Sequence, residues 1–367
     1  MNDSIVGFIG FGLIGGSLAH ALREQNPKQK LIAYHYNKEK LNTGLSAALS
    51  EGVLSDVVYD LEELKDCDLL FLCAPVLSNI AYLASIKNIV KPECIITDVG
   101  SVKGNICAEA VRLNIGHQFI GGHPMAGSEK TGYANSSSLL LENAYYILTP
   151  TADTSELIKT QLFELIKSLG SIPLFLKPDE HDDITAAISH VPHIIASGLV
   201  NTVKAADKED KMKLLAAGGF KDITRIASSS PVMWQNICLT NTDSILHFLE
   251  SYITNLEDIR TALLEQKEAA IFDFFKEAGD YRDSIPATSH GLLNKVYELY
   301  LDIMDETGAI ATIATLLATN QISLKNIGII HNREFEQGVL RIEFYSQNSC
   351  DVASVLLRRH NYIVYER

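Results

Sequence analysis

One histidine stands in a segment built almost entirely from small residues, and its setting suits proton transfer. Residues 121–129 read Gly-Gly-His-Pro-Met-Ala-Gly-Ser-Glu and follow a predicted buried strand at 119–122. A side chain at a strand end can project into the crevice at the carboxyl edge of an α/β sheet, where ligands bind. The ordinary imidazole pKa of about 6.5 makes a neutral His123 available as a proton acceptor at physiological pH. A capping or core histidine is the alternative, but the glycine-rich setting favours catalysis.

Residues 10–15 read Gly-Phe-Gly-Leu-Ile-Gly, the spacing of a dinucleotide-binding loop. Gly10 would permit the tight turn, Gly12 would let the backbone approach a pyrophosphate, and Gly15 would allow close packing of helix on strand. The spacing alone is weak evidence, but here it joins a predicted strand to a predicted helix, whose N-terminus offers free N–H groups. A glycine-rich turn without a ligand is the alternative. The predicted cofactor contacts in this loop are Gly10, Gly12, Leu13, Ile14 and Gly15.

The end of the second predicted strand leaves the choice of nicotinamide cofactor open. Enzymes that use NAD normally carry Asp or Glu there, to bind the ribose hydroxyls. This chain reads Ala-Tyr-His-Tyr-Asn over residues 33–37, so His35 occupies the expected place. Asn37, Lys38 or Lys40 could reach a 2′-phosphate. We expect NAD, with NADP as the alternative.

The elements that must position these residues alternate in the way of βαβ units. Strands are predicted at residues 6–9, 31–34, 69–73, 95–98, 119–122, 145–148 and 173–176, and helices at 13–25 and about 38–50. Near-continuous apolar strands suit a parallel sheet that is covered on both faces. Two of the strands end at turns, Ala74-Pro75 and Gly100-Ser101, where we expect Ala74, Pro75 and Ser101 to contact the cofactor. The pattern predicts an α/β Rossmann-type domain over residues 1–178.

The remaining chain divides into two further predicted domains. Helical patterns dominate residues 179–285, which predicts an all-α domain for substrate binding and dimerisation. Pro192 lies between His190 and His193 and argues against the regular helical spacing that a zinc site there would use. Residues 294–367 read as strand 297–303, helix 309–320, strands 323–330 and 339–345, helix 350–359 and strand 362–365. The order βαββαβ is that of an α+β, ferredoxin-like domain.

Composition excludes several classes of protein. The chain has 367 residues, a formal charge of −14 and 47% hydrophobic residues, so we expect no nucleic-acid or anionic-membrane partner, since both require a basic face. The six cysteines are scattered without a Cys-x-x-Cys pair, which disfavours a disulfide framework or zinc site and fits the cytoplasm. The apolar residues 5–22 lack a basic segment and are interrupted by glycines, so they predict neither a signal peptide nor a membrane span.

Two further features are interpreted as structural. His181 lies in the acidic run 179–183, which could suggest a metal site. A solvated, acidic helix N-terminus is the simpler interpretation, because negative charge there is favourable to the helix dipole, and no metal is expected. Trp234 is expected to anchor a core or an interface rather than to serve as a stacking platform.

Six motifs give the chain a resemblance to the prephenate and arogenate dehydrogenases. They read Gly-Leu-Ile-Gly-Gly-Ser at 12–17, Asp-Val-Gly-Ser-Val-Lys at 98–103, His-Pro-Met-Ala-Gly at 123–127, Ser-His-Val-Pro-His at 189–193, Gly-Gly-Phe-Lys-Asp-Ile-Thr-Arg-Ile-Ala at 218–227 and Pro-Val-Met-Trp at 231–234. The resemblance runs from residue 5 to about 277 with the motifs in the family's order. The C-terminal region resembles an ACT domain, a regulatory amino-acid sensor.

The resemblance implies roles for individual residues. His123 would take the proton of the substrate's C4 hydroxyl while hydride leaves C4, and Ser101 would orient that hydroxyl. Arg225 would bind a substrate carboxylate, for which a guanidinium is better suited than an ammonium. In the family this part of the helical domain faces a partner, which implies a homodimer with an active site completed across the interface. The other implied substrate contacts are His193, His190, Lys221, Gly218 and Glu129.

The implied reaction is the oxidative decarboxylation of prephenate to 4-hydroxyphenylpyruvate and CO2, with reduction of NAD(P), in tyrosine biosynthesis. Arogenate dehydrogenase activity is the nearest alternative. A hydroxyacid or imine reductase would place a lysine in the helical domain, and a non-catalytic amino-acid-sensing regulator is the alternative of a different class. The ACT-like region implies feedback regulation by L-tyrosine, against the alternative of a structural module without a ligand. The implied effector contacts are Asp305, Gly308, Ala309, Ile310 and Asn326.

Overall fold

The computed structural model describes residues 4–39, 42–127, 130–285, 297–303, 307–330 and 338–366. The chain divides into two compact units, Met1–Ser289 and His290–Arg367. Three residues singled out from the sequence lie outside the described residues: Lys40, Glu129 and Asp305.

The first unit contains an α/β domain followed by a helical domain, and the second is a small α+β unit. The strands are β1 (Ile5–Ile9), β2 (Lys30–Tyr34), β3 (Asp56–Val58), β4 (Leu69–Leu72), β5 (Ile95–Asp98), β6 (Phe119–Pro124), β7 (Tyr145–Pro150), β8 (Ile172–Phe175), β9 (Tyr297–Ile303), β10 (Leu324–Ile330), β11 (Gly338–Phe344) and β12 (Val364–Glu366). The helices are α1 (Leu13–Gln25), α2 (Thr43–Ser50), α3 (Val76–Ile86), α4 (Gly104–Arg112), α5 (Glu156–Ser168), α6 (Pro178–Thr185), α7 (Val191–Ala206), α8 (Lys211–Leu215), α9 (Gly218–Thr224), α10 (Pro231–Thr240), α11 (Thr242–Leu264), α12 (Glu268–Ser284), α13 (Ala309–Thr319) and α14 (Gln347–Arg359).

The N-terminal sheet has eight strands in the order β3-β2-β1-β4-β5-β6-β7-β8. β1 pairs in parallel with β2 on one side and with β4 on the other, so the strand order reverses there. In open α/β sheets the crevice at the carboxyl ends of such strands is where ligands bind. Phe8 and Ile9 of β1 belong to separate apolar clusters, which shows that both faces of the sheet are covered. The predicted Rossmann-type sheet is confirmed.

Three details of this α/β domain differ from the prediction. β7 pairs antiparallel to β6. The described residues between them, 125–127 and 130–144, form only two short 3-10 helices and not the crossover helix that a parallel pair needs. β6 continues through His123, which pairs with Ile147, so the histidine lies in the strand rather than after it. α2 begins at Thr43 rather than near residue 38, because the Asn42 side chain accepts a hydrogen bond from Gly44 N at 2.7 Å and caps the helix there.

The helical domain contains one irregularity that the sequence did not reveal. Residues Ala186–His190 form a π-helical turn between α6 and α7, in which Val191 N donates to Ala186 O. Pro192 lies in the first turn of α7, where its missing N–H is not needed. His190 lies in the π-helical turn and His193 in α7, so the two histidines do not share one regular α-helix. Among the described residues, no helix is both long enough and apolar enough to cross a membrane.

The second unit has the predicted βαββαβ order. Its sheet runs β10-β11-β9-β12 with antiparallel neighbours. Alternate side chains of β9, at Leu299, Leu301 and Ile303, are buried in one apolar cluster. Ile313 of α13 and Leu357 of α14 belong to the same cluster, so both helices cover that face of the sheet.

Candidate active site

The glycines of the β1–α1 loop differ in what surrounds them. Gly10 has φ +87°, and a Cβ there would lie 2.6 Å from Ala74 N, so the fold itself requires glycine at this position. At Gly15 a Cβ would lie 3.0 Å from Gly10 O and 3.2 Å from Cys73 Cβ, in keeping with close helix–strand packing. At Gly12 a Cβ would meet nothing within 4 Å. Because protein packing does not demand glycine at position 12, the open space suits a ligand that approaches the backbone.

The other predicted cofactor contacts lie around this loop. Gly12 precedes α1 without a side-chain cap, so the N–H groups of Leu13 and Ile14 are offered at the helix N-terminus. Ala74 and Pro75 connect β4 to α3 beside Gly10. Residues able to hold a dinucleotide are thus brought together at the carboxyl ends of β1 and β4.

His35 stands at the end of the neighbouring strand. Its N–H donates to Val58 O at 2.9 Å, and its ring centre lies 5.1 Å from that of Tyr36. Since Tyr34 of β2 pairs with Ile9 of β1, His35 comes level with the glycine loop. The position therefore matches the place where a ribose would be recognised.

A buried ion pair fixes the ends of β5 and β6. Lys103 and Asp98 are fully buried, the Lys103 ammonium contacts the Asp98 carboxylate, and Lys103 Nζ also donates to Gly122 O at 2.7 Å. Asp98 in turn accepts hydrogen bonds from Gly100 N at 2.8 Å and from Gly122 N at 3.2 Å. The turn that carries Ser101 and the strand end that carries His123 are therefore held by the same pair of charges.

His123 contacts a second histidine. Its Nδ1 lies 2.7 Å from Nε2 of His181, and Nδ1 of His181 lies 2.8 Å from Oδ1 of Asp182. The Asp182 carboxylate also accepts hydrogen bonds from the N–H groups of Lys103 and Gly104, each at 2.7 Å. The expected acidic helix N-terminus is present, with Asp179 and Glu180 in the first turn of α6. His181 and Asp182 are only 1% and 6% exposed, so the expectation that the run is solvated is wrong for these two residues. In the described part of the chain, no group of three or more His, Cys, Asp and Glu side chains is arranged to hold a metal ion.

The environment keeps these histidines neutral. Burial lowers the pKa of His123 well below its usual value, and nearby His181, Lys103 and His190 act in the same direction. The pKa of His181 is lowered by burial, against the opposing effect of Asp182. A neutral imidazole can accept a proton, so the electrostatics suit His123 as a general base.

His190 and His193 lie in the helical domain around Trp234. Asn241 Nδ2 lies 3.1 Å from Nδ1 of His190 and donates to Asp182 O at 2.8 Å. The Trp234 ring stacks on His193 at 3.8 Å and meets His190 edge-on at 5.9 Å. Burial lowers the pKa of His190 to about 4. Trp234 packs against a small apolar cluster, as expected of a core anchor, but it also serves as a stacking platform for His193.

The remaining predicted substrate contacts lie on short helices beside α7. Gly218 and Lys221 belong to α9, and Arg225 begins the short 3-10 helix Arg225–Ser228 that packs against α7. Lys221 and Arg225 are exposed within the single chain. A Cβ at Gly218 would meet nothing closer than 3.9 Å. The helix that carries His193 and the segment that carries Arg225 are thus neighbours.

The predicted effector residues that the structure describes lie on two different elements, α13 with the residue before it and β10. Gly308, with φ +93°, precedes α13, whose first residues are Ala309 and Ile310. Asn326 of β10 and Glu298 of β9 both pair with Glu343 of β11. Asn326 is therefore level with the start of β9. Gly308 follows the other end of β9 in sequence, and Ile303 at that end lies about 15 Å from Glu298 at the usual rise per residue of a strand.

Sequence reasoning missed four residues that support His123. Asp98 and Lys103 begin and end the motif at 98–103. An acid and a lysine on the two sides of a turn that follows a buried strand could have indicated their ion pair. His181 and Asp182 were read as solvated. Only the packing of α6 against α4 shows that they are buried.

Comparison with known proteins assigns the family. The model for the nucleotide-binding domain of prephenate dehydrogenase matches residues 18–172, and the model for its dimerization domain matches residues 177–277. The prephenate dehydrogenase of Bacillus subtilis (strain 168) is 40% identical over 352 residues, which cover 95% of this chain and 94% of that protein. This chain belongs to the prephenate dehydrogenase family. It is therefore an oxidoreductase whose α/β domain binds a nucleotide.

Solved structures of similar enzymes share the fold over more than three quarters of this chain. The prephenate dehydrogenase of Aquifex aeolicus, in complex with hydroxyphenyl propionate and NAD+, superposes with a TM-score of 0.72 at 29% identity, over 78% of this chain and 99% of that one. Arogenate dehydrogenase from Synechocystis gives a TM-score of 0.66 at 29% identity, over 77% and 99% of the two chains. The similar structures therefore include one enzyme named for prephenate and one named for arogenate, the two substrates between which the sequence did not decide.

Replacement of Gly12 by alanine should weaken NAD binding without unfolding the domain. A methyl group there enters only the open space in front of α1, so we expect the Kd for NAD to rise at least about tenfold, or 1.4 kcal/mol. The matched variant Gly10→Ala should instead lower the free energy of unfolding by about 1–3 kcal/mol, because it combines a positive φ with a backbone clash. NAD titration and urea denaturation measure the two effects. Unchanged NAD affinity in Gly12→Ala would contradict the assignment of the loop.

Proposed function

We propose that the protein catalyses the oxidative decarboxylation of prephenate to 4-hydroxyphenylpyruvate and CO2, with NAD as hydride acceptor. The observation that carries the proposal is the placement of His123 at the nucleotide-binding edge of the sheet, with its Nδ1 engaged by His181. Its other nitrogen, Nε2, is then the one that can accept the substrate's proton. Family membership and the NAD+ complex of the Aquifex aeolicus neighbour support the choice of reaction and cofactor.

The residues present suffice for this chemistry. The nicotinamide, when bound, accepts the hydride that leaves C4. His123 Nε2 takes the proton of the C4 hydroxyl, so that C4 becomes a carbonyl. The ring carboxylate then leaves as CO2, its electron pair enters the ring, and the resulting phenolate oxygen regains the proton from His123. A positioned base of this kind accelerates such a step about 10²- to 10⁴-fold.

Ser101 and the helical domain would hold the substrate. Ser101 lies on the turn fixed by the Asp98–Lys103 pair, where its hydroxyl can orient the C4 hydroxyl. Arg225 would bind one carboxylate, with His193 and Lys221 on the same side, and buried His190 would support His193 through Trp234. Gly218 has no side chain and would leave room for the substrate to approach the protein backbone.

We propose that the active enzyme is a homodimer formed through the helical domain. Large apolar side chains are exposed along α11 and α12, among them Ile253, Leu263, Phe272 and Phe275, the last two 66% exposed. Such a surface is unusual for a monomer and suits burial against an identical partner. The dimerization-domain match over residues 177–277 supports this assembly.

We also propose that the enzyme is cytoplasmic. All six cysteines are free thiols, which fits a reducing compartment.

The reaction is tested by turnover of prephenate and of arogenate with NAD and with NADP, following absorbance of the reduced nicotinamide. We expect prephenate with NAD to give the highest kcat/KM. His123→Asn should lower kcat about 10²-fold or more while NAD affinity is retained, because the base is lost. Preference for arogenate would replace the proposed substrate by the alternative, and a fully active His123→Asn would contradict the mechanism.

Arg225→Ala should raise the KM for prephenate about 10- to 100-fold with a smaller effect on kcat, because a charge-assisted hydrogen bond to a carboxylate is lost. Arg112→Ala is the matched control. Its guanidinium pairs with Glu109 on the exposed side of α4, so its removal should leave KM unchanged. Equal KM values in the two variants, with only stability altered in Arg225→Ala, would make the arginine structural.

We further propose that the C-terminal unit is an ACT domain that binds L-tyrosine as a feedback inhibitor. The βαββαβ order and the positive φ of Gly308 before α13 support a ligand-binding turn. Because Asn326 lies toward the other end of the sheet, an effector that contacts both regions would require two copies of the unit. The match to the Bacillus subtilis enzyme covers 95% of the chain and so includes this unit.

L-Tyrosine should bind the intact protein with a measurable heat in calorimetry and should lower prephenate turnover. Asn326→Ala should weaken the inhibition without changing uninhibited kcat, since β10 belongs to the unit that carries no part of the proposed active site. Absence of both heat and inhibition in the wild-type enzyme would reject the effector role.

A further inference from the structure

We infer that His181 is a positioning residue for the reaction: it fixes His123 in the tautomer whose Nε2 is unprotonated and available to the substrate. The inference rests on the proposed role of His123 as base and adds a residue to it. It is drawn from the geometry of three consecutive side-chain contacts, from Asp182 through His181 to His123.

The proton positions follow from the acceptor at one end. The Asp182 carboxylate accepts hydrogen bonds from two backbone N–H groups and has no proton to give, so His181 Nδ1, at 2.8 Å, must be the donor. A neutral His181 then has its lone pair on Nε2. His123 Nδ1 lies 2.7 Å from that lone pair and must donate to it. A neutral His123 consequently carries its remaining lone pair on Nε2, as a base at that atom requires.

The fold holds this chain of hydrogen bonds at both ends. Lys103 N and Gly104 N, which bind Asp182, begin α4, so the carboxylate sits at a helix N-terminus, where negative charge is stabilised. Asn241 donates to Asp182 O from the helical domain. At the other end, His123 is held in β6 by its pairing with Ile147 of β7. The orientation of His181 is therefore set by three separate elements.

The contact with His181 also bears on protonation of His123. The charged or titratable groups that face His123 are His181 from α6, Lys103 from the β5–α4 turn and His190 from the π-helical turn. When His123 takes the substrate's proton, its Nδ1–H still points at the lone pair of His181, with the Asp182 carboxylate behind it. A charged His181 would repel the imidazolium and lower the pKa of His123, but a neutral His181 accepts its Nδ1–H and favours the charged form. Because the proton positions above make His181 neutral, loss of its Nε2 acceptor should lower the pKa of His123 further.

The wild-type enzyme provides the first test. In protein labelled with ¹⁵N-histidine, long-range ¹H–¹⁵N NMR distinguishes a protonated from an unprotonated ring nitrogen. We expect His123, assigned by its loss in His123→Asn, to be protonated at Nδ1 and unprotonated at Nε2 near pH 7.5. The reverse tautomer would overturn the inference and the choice of Nε2 as the accepting atom. It would leave the overall conversion of prephenate unaffected, which the turnover assay tests independently.

Two substitutions separate the acceptor from the shape of the side chain. His181→Leu removes the acceptor, and we expect kcat to fall at least about tenfold, with the KM for NAD unchanged, because His123 loses its fixed tautomer. The acid limb of the kcat/KM profile should also move to lower pH. His181→Gln places an amide oxygen near the position of Nε2, so it should restore much of kcat and return the acid limb toward the wild-type position.

Thr185→Val is the matched control for a disturbance within α6. Thr185 is buried one turn along the helix, and its hydroxyl donates to His181 O at 3.0 Å. The variant should lose stability without any change in the His123 tautomer or the pH profile. A His181→Leu enzyme with wild-type kcat and an unmoved acid limb would overturn the inference, as would equal loss of activity in His181→Gln and His181→Leu with the tautomer unchanged in both.

Discussion

The buried pair of Asp98 and Lys103 is the interaction on which the geometry of the site depends. Neither side chain is reached by solvent, and each has further hydrogen bonds at the ends of β5 and β6. Breaking such a pair by removing one partner typically costs about 3–5 kcal/mol, because a charge is left buried without compensation. Because separation of the two charges is so unfavourable, the turn after β5 and the end of β6 are held in one arrangement. Ser101 and His123 thereby gain fixed relative positions, which a reaction that moves a proton and a hydride in concert requires.

Lys103 has a second role, through its backbone. It precedes α4, and its N–H and that of Gly104 bind the carboxylate of Asp182 on α6. Asn105 Nδ2 donates to Thr240 O at the end of α10, and Asn241 reaches back to α6. The first residues of α4 thus join the sheet to the helical domain. The orientation of His123 is consequently determined by contacts from both domains of the first unit.

The sequence allowed prediction of features that are local and missed those that are made by long-range packing. The glycine loop, the βαβ alternation and the strand that ends at His123 depend on short-range spacing, so the Rossmann-type domain and its nucleotide edge could be read directly. Asp182 binds a backbone N–H that lies 79 residues away along the chain. No local pattern distinguishes that carboxylate from its exposed neighbours in an acidic helix start. The antiparallel direction of β7 was not predicted either, since it depends on a connection whose described residues form only short 3-10 helices.

The burial that keeps His123 neutral also makes stability depend on pH. His123, His181 and His190 all have pKa values lowered by burial, that of His190 from 6.5 to about 4. Because the unfolded chain binds protons that these neutral side chains do not, their contribution to stability is present above their ordinary pKa of about 6.5 and is lost as the pH falls. For His190 this loss extends down to about pH 4. Protonation of His123 in acid would also remove the proton acceptor of the proposed reaction. The close packing that excludes water from these histidines is also what keeps them neutral beside a buried lysine. Looser packing would admit water and raise their pKa values, so it could not increase activity in acid.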